Sequence, residues 1–361
     1  MFDDRISVDL PKTNKMHTIY IQGNKMKCNC DYVLHCNTLE PHYDNCATVW
    51  ETSHPGKEYP KNEDGTIRLP NKNLDKLESD VLYHLGLDTK NYDLPALFGD
   101  VKFVCIGGTK HRMREFAEFV SFNVFHGKNM KLVNLTKHSH RYATYKVGPV
   151  LSVSHGIGIP SMTTALQEII KLLHYAKAVD PIVFRIGTSG GLGIPPGSVV
   201  VSSWGLNGYL EKSYDIPVMG RSLKLPAILD KRLSQEIYSM ASEEDEFQTY
   251  LGGTMGADDF YRGQARLDGP FCDHTEEDKL EFLEKLSEMG VRNIEMEAPA
   301  FAALTKEAGI RGAIVCVTLI NRLEGDQVST EKGTLLQWQK RPMAIVAKFI
   351  SKYLDSMNGW K

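Results

Sequence analysis

Between residues 101 and 320 the chain repeatedly sets a short apolar, β-branched run beside a longer segment with helical spacing of its apolar residues. That alternation confines it to an α/β class before any other feature is weighed. The runs are VKFVCI (101–106), VLSVS (150–154), PIVFRIG (181–187), SVVVSS (198–203) and AIVCVTLI (313–320). Several are apolar on both faces, as in a sheet covered on both sides. MREFAEFVSFNVF, SMTTALQEIIKLLHYAKA, DKLEFLEKLSEM and APAFAALTKEA place apolar residues three and four apart. That spacing predicts helices with one buried face. A last helix is expected within LLQWQKRPMAIVAKFISKYL, started or kinked at Pro342. RYATYKVGPVLSVSHG alternates on either side of Gly148 and Pro149, as a hairpin does. The expected architecture is a single three-layer α/β domain, with a central mixed, largely parallel sheet flanked by helices.

The first seventy residues read differently. They are rich in Asn, Lys, His and Pro, show no sustained periodicity, and end in HPGKEYPKNEDGTIRLPN. We therefore expect a poorly ordered N-terminal extension over 1–70 and the folded domain over 71–361. Cys28, Cys30, Cys36 and Cys46, with His35 and His42 nearby, raise the question of zinc. Their spacing lacks the paired C-x₂₋₄-C of zinc modules and argues against it. A formal charge of −3 leaves no electrostatic footprint for nucleic acid or an anionic membrane. No apolar run is long enough to span a bilayer, and no secretory apolar segment opens the chain. A soluble cytoplasmic enzyme is the expected class.

Three glycine-bearing stretches follow strand runs. HGIGIPSMTTAL (155–166) offers G-x-G but no third glycine on schedule; Pro160 and Ser161 suit a helix start instead. VFRIGTSGGLG (183–193) ends a strand run in an arginine and small residues, and IPPG rather than a helix follows it. IGGTKHRM (106–113) sets Gly107 and Gly108 before Arg112. A dinucleotide or triphosphate site is weakly supported by any of these. Two strand-end loops, each with glycines and one arginine, suit a small anion, since the planar guanidinium matches phosphate bidentately.

Two further stretches narrow the field. FYRGQARLDG (260–269) places Gln264 and Arg266 two apart, and NIEMEAPAF (293–301) brackets Met296 with Glu295 and Glu297. With RIGTSGG and IGG…R, in this order, they strongly resemble the uridine phosphorylases of the nucleoside phosphorylase superfamily. The likeness is densest to the animal enzymes and runs over about residues 69–355, through PALFGDVKFVCIGG, RYATYKVGPVLSVSHGIGIPS, VRNIEMEA and VCVTLINRLEGDQ.

The resemblance implies phosphorolysis of uridine to uracil and ribose 1-phosphate, without a cofactor, in pyrimidine salvage and catabolism. By matching position, Gly108, Arg112, Arg185 and Thr188 bind phosphate, joined by Arg141 from a partner subunit. His84, also from the partner, touches the ribose together with Thr188, Glu295, Met296 and Glu297. Gln264 and Arg266 read the base, with Phe260, Leu319 and Ile320 as its apolar walls. Arg266, Gln264, Glu297 and Arg185 carry the catalytic roles. A homodimer with shared active sites follows.

The sequence departs from this pattern in places. Lys110 stands in the phosphate loop where relatives carry Pro, and Ala298 replaces the usual Ser after E-M-E, leaving a helix-start hydrogen bond in doubt. Tyr142 stands where bacterial relatives carry a Glu that ligates a monovalent cation, so no metal is expected. His155 and His174 are read as structural. Two alternatives stay open: a catalytically silent paralogue that binds uracil nucleosides, and a nucleosidase that uses water.

Overall fold

The computed structural model describes residues 61–127 and 132–357 in full, and the backbone alone of 17–21 and 24–28. The chain divides into two compact units, Met1–Gly56 and Lys57–Lys361. In the first unit, β1 (His17–Ile21) pairs antiparallel with β2 (Asn24–Cys28), inside a stretch whose composition suggested loop. The side chains of the four N-terminal cysteines, and with them the zinc question, lie outside the described residues.

The second unit begins earlier than the composition break at 70. Thr66 bridges to Val179, and Ile67 is buried in the core. A local device holds this segment: Asp64 accepts from both the amide and the hydroxyl of Thr66. One apolar side chain reaching the core therefore outweighs the polar character of its neighbours.

After the small pair β3 (Val81–Leu82) and β4 (Leu87–Asp88) come α1 (Leu94–Phe98), β5 (Phe103–Gly107) and α2 (Lys110–Asn123). The hairpin expected at Gly148 and Pro149 forms between β6 (Thr144–Val147) and β7 (Val150–Ser154), with Gly148 at a φ of 52°. Next are α3 (Ile159–Tyr175), β8 (Ile182–Gly191) and β9 (Val199–Leu206). The hairpin of β10 (Ser213–Val218) and β11 (Arg221–Pro226) leads to α4 (Lys231–Tyr238) and β12 (Thr249–Gly256). The chain closes with α5 (Glu276–Glu288), β13 (Val291–Glu295), α6 (Ala298–Glu307), β14 (Arg311–Asn321), α7 (Lys332–Trp338) and α8 (Lys340–Ser356). Pro342 falls in the first turn of α8, where its missing N–H costs nothing.

The main sheet has eight strands in the order β13-β12-β9-β14-β8-β5-β7-β6. Its inner pairings are mostly parallel, but β14 meets β9 antiparallel and β6 forms an antiparallel edge. Both faces are covered, as the doubly apolar runs require. Leu166 and Ile169 of α3 and Phe301 of α6 pack with Val104, Val183 and Ile314 on one side. Met113 and Phe116 of α2, Ile237 of α4 and Phe349 of α8 pack with Phe103, Phe184 and Val315 on the other. Adjacent residues Val183 and Phe184 thus enter opposite layers, the two-residue period of a strand.

One sequence expectation changes here, and one strand is added. TSGG (188–191) is not a loop: β8 runs through it, paired with β14 as far as Gly191 across a register shift, while Gly190 and Gly191 also pair antiparallel with β13. The glycines serve close packing, since a Cβ on Gly190 would lie 2.7 Å from Cγ of Arg322. TYLGGTMG, which is not among the expected strand runs, is β12 in the sheet interior. Its glycines accommodate Trp204 at Gly253 and Pro299 at Gly256. The extra β13–β8 pairing folds one end of the sheet back on itself, and the site lies there.

Candidate active site

The carboxyl ends of β5, β7, β8, β13 and β14 open onto one cavity of about 520 Å³. Ligands of α/β sheets bind at such strand ends. The cavity wall includes Gly108, Arg112, Arg185, Thr188, Phe260, Gln264, Arg266, Glu295, Met296, Glu297, Leu319 and Ile320. These residues are scattered over more than two hundred positions of sequence, and all had been singled out from it.

At the centre, Arg185 from β8 faces the end of β13. Its guanidinium lies 2.7 Å from Glu295 and is also hydrogen-bonded to Glu297. All three are buried. Gly187 follows because a side chain there would collide with the folded-back guanidinium, 2.8 Å from a built Cβ. Burial pushes the Glu295 carboxyl up; Arg185 only partly offsets this, and the neighbouring Glu297 charge adds to it. Burial also opposes the Glu297 charge, but Arg185 and the Gly158 N–H outweigh it and hold that carboxyl well below its usual range. The two carboxylates titrate as a pair with unequal proton affinity. The HGIG turn does hold an anion, an internal one: Gly158 N–H donates to Glu297 at 2.6 Å.

The missing Ser at position 298 leaves no gap. Glu295 accepts from the Glu297 amide at 3.0 Å and from the Ala298 amide at 2.7 Å, capping α6 from inside the site. Its oxygens are thereby engaged by the backbone and by Arg185, as those of Glu297 are by Arg185 and the Gly158 N–H, and both carboxylates line the cavity with Met296.

One end of the cavity is built from the β5–α2 turn. Thr109 caps α2 by accepting from the Arg112 amide. The Nε and Nη2 of Arg112 both donate to Oε1 of Gln339, at 3.1 and 2.9 Å, which leaves its Nη1 on the side of Gly108. Lys110, the departure in this loop, bonds the carbonyl of His140 at 2.8 Å. Arg112 is the cavity guanidinium with no carboxylate partner among the described residues.

At the other end, Arg266 is braced by Asp268 through two bonds of 2.8 and 2.6 Å, and its guanidinium lies 4.5 Å from the centroid of the Phe260 ring. The bond to Arg266 is the main reason the Asp268 carboxyl is held below its usual range, which keeps the pair ionised. Gln264 is oriented by Arg322, whose Nη1 donates to its Oε1 at 3.3 Å and whose Nη2 donates to its backbone carbonyl at 2.7 Å. Arg322 is itself fixed by Asp326, and Lys279 stands 3.2 Å from the same carboxylate.

Sequence reasoning passed over Arg322 and Gln339, and it took His155, now found in the cavity wall, as structural. His174 does have a structural bond, 2.9 Å from the Ile67 carbonyl. Arg322 carried a signal, an arginine and an aspartate four apart directly after an apolar strand. Gln339 carried none. The structure does not bring His84 or Arg141 into the cavity of their own chain. His84 is pinned to Glu168 at 2.7 Å beside Tyr142, and Arg141 is exposed next to them.

The sequence profile of the Phosphorylase superfamily matches residues 102–351. Uridine phosphorylase 1 of Mus musculus is 44% identical over 289 residues, covering 80% of this chain and 93% of its own. An inactive uridine phosphorylase B of Schistosoma mansoni is 35% identical over 285 residues, covering 79% of this chain and 96% of its own. The crystal structure of uridine phosphorylase from Schistosoma mansoni in complex with uracil aligns with a TM-score of 0.74 at 38% identity, over 80% of this chain and 99% of that one.

Proposed function

Because this chain belongs to the Phosphorylase superfamily, we infer from its site that it is a uridine phosphorylase, converting uridine and inorganic phosphate reversibly to uracil and ribose 1-phosphate. The observation that carries this is the division of one cavity into three chemically distinct parts. Gln264 and Arg266, with Phe260, Leu319 and Ile320, suit a flat polar base; Met296 and Glu297 suit a sugar; Gly108, Arg112, Arg185 and Thr188 suit an anion.

In this reading phosphate sits below ribose C1′ while the bond to uracil N1 breaks. The sugar approaches an oxocarbenium ion, and negative charge grows on the base. Arg266, held by Asp268, stabilises that charge where it develops. Gln264, with its amide orientation set by Arg322, accepts from uracil N3–H and donates to a ring carbonyl. Cytosine would leave these groups mismatched. Glu297 accepts from ribose hydroxyls, and Glu295 holds Arg185 and the start of α6. Much of the rate comes from positioning.

Uridine cleavage is expected only with phosphate present, read as uracil and ribose 1-phosphate. Equal uracil release in phosphate-free buffer would make the protein a nucleosidase. No release in either buffer would place it with inactive relatives.

The active unit in this reading is a homodimer with shared sites. Within one chain Arg185 is neutralised by two carboxylates, so Arg112 alone faces phosphate unmatched. Arg141 and His84, outside the cavity of their own chain, would complete the neighbour's site. Arg141→Ala and Arg266→Ala are each expected to be nearly inactive. Refolded together in equal amounts, they should recover about a quarter of wild-type activity, since half the dimers are mixed and half their sites intact. Mixed dimers without recovery would reject a shared site. Among the described residues no helix is long and apolar enough to cross a membrane. A cytoplasmic setting fits the free thiols of Cys105, Cys272 and Cys316.

A further inference from the structure

His155 is the group in the cavity wall to which the reaction as described gives no task. Its backbone is clamped: the amide donates to Gly107 at 2.8 Å, and the carbonyl accepts from Ser161 Oγ at 2.6 Å. The next amide, of Gly156, donates to Gly108 at 2.9 Å, so the residue is locked to the turn that carries Arg112. The ring is 1% exposed, and neither Nδ1 nor Nε2 has a hydrogen-bond partner. Such groups in native interiors are exceptions that call for an explanation, because a buried unpaired polar atom is costly where an apolar ring would not be. The Nε of Arg185, another residue of the cavity wall, is likewise buried and unpartnered.

The surroundings also fix the ring's charge. Burial foremost, and then Arg185, bring His155 down to about 3, with Arg112 acting the same way and Glu297 opposing. At neutral pH the imidazole is uncharged and carries one N–H and one acceptor nitrogen. A third cation between two guanidiniums would be repelled; a neutral donor is not. We propose that His155 is a ligand of the phosphate, donating one ring N–H to the anion held by Arg112 and Arg185. The proposal rests on the phosphorylase reading of this cavity.

Inorganic phosphate binding, measured by calorimetry without nucleoside, tests it. His155→Leu is expected to weaken phosphate about tenfold, the loss of one hydrogen bond to a charged group. His155→Asn, which keeps an N–H, should stay within about threefold of wild type. In turnover, the KM for phosphate should rise in His155→Leu while the KM for uridine does not. The ligand-free melting temperature of His155→Leu should not fall, since the ring makes no protein hydrogen bond. Unchanged phosphate affinity in His155→Leu overturns the proposal. So does a rise confined to the KM for uridine, which would assign the ring to the nucleoside. A melting temperature that falls, with no rescue by Asn, would make His155 structural. Wild-type protein that binds phosphate without cleaving uridine would refute the phosphorylase reading, while the calorimetry still decides the role of His155.

Discussion

Replacing Arg266 with alanine should lower kcat for uridine by about 10²–10³-fold, the usual cost of losing a donor aimed at developing charge. The structure supplies the reason that the loss should fall on kcat. Asp268 takes Nε and Nη2 of Arg266 in two short bonds, and the Asp326 carbonyl takes Nη2 again. The guanidinium is thus aligned before substrate arrives, with Nη1 left for the ligand. Arg266→Lys should restore little, because an ammonium can neither accept that fork-shaped bracing nor reproduce the planar contact with Phe260. Steady-state kinetics of both variants, beside phosphate binding as a control, checks this. Near-wild-type kcat in Arg266→Lys would mean that charge alone suffices, and the bracing by Asp268 would lose its catalytic meaning.

The second large effect is expected at Arg185, in stability as well as activity. Arg185→Met would leave Glu295 and Glu297 buried without their counter-charge, a change that costs about 3–5 kcal/mol when one partner of a buried pair is removed. The pH dependence should change with it. Without the guanidinium, burial raises both folded-state carboxyl pKa values above those of the unfolded chain. The folded state then binds more protons, so stability falls as pH rises through and above the ordinary carboxylate range. Melting of Arg185→Met should therefore fall between about pH 5 and about pH 8 by a larger margin than in wild type, where Glu295 alone is raised. Adding Glu295→Gln and Glu297→Gln should return much of the stability but none of the activity. A single variant as stable as wild type at neutral pH would show that the carboxylates are not held by Arg185.

The layer architecture was legible in the sequence. Val183 and Phe184, adjacent and both apolar, already require a strand with cover on each face, and the helical spacing of Leu166, Ile169 and Leu173 supplies that cover. Local pattern was enough for the layers, since periodicity and turn chemistry act between near neighbours in the chain. The candidate site residues were legible only through resemblance, because the order and spacing of RIGTSGG, FYRGQARLDG and NIEMEAPAF match the uridine phosphorylases, whereas each polar residue taken singly has nothing local to mark it.

Tertiary structure alone decided what those residues do to each other. Arg185 and Glu297 lie 112 positions apart, and Arg112 and Gln339 lie 227 apart. No local pattern records such a pairing, because it depends on the end of β8 pairing with β13 as well as β14, and on where α7 gives way to α8. The same holds for β12, whose glycines discourage a strand until Trp204 and Pro299 are packed against them. His155 shows the point most sharply. Its neighbours in sequence are a serine and a glycine, while burial foremost, and then Arg185 from another strand, keep its ring uncharged. Charge and desolvation act through space, and only the folded chain sets those distances.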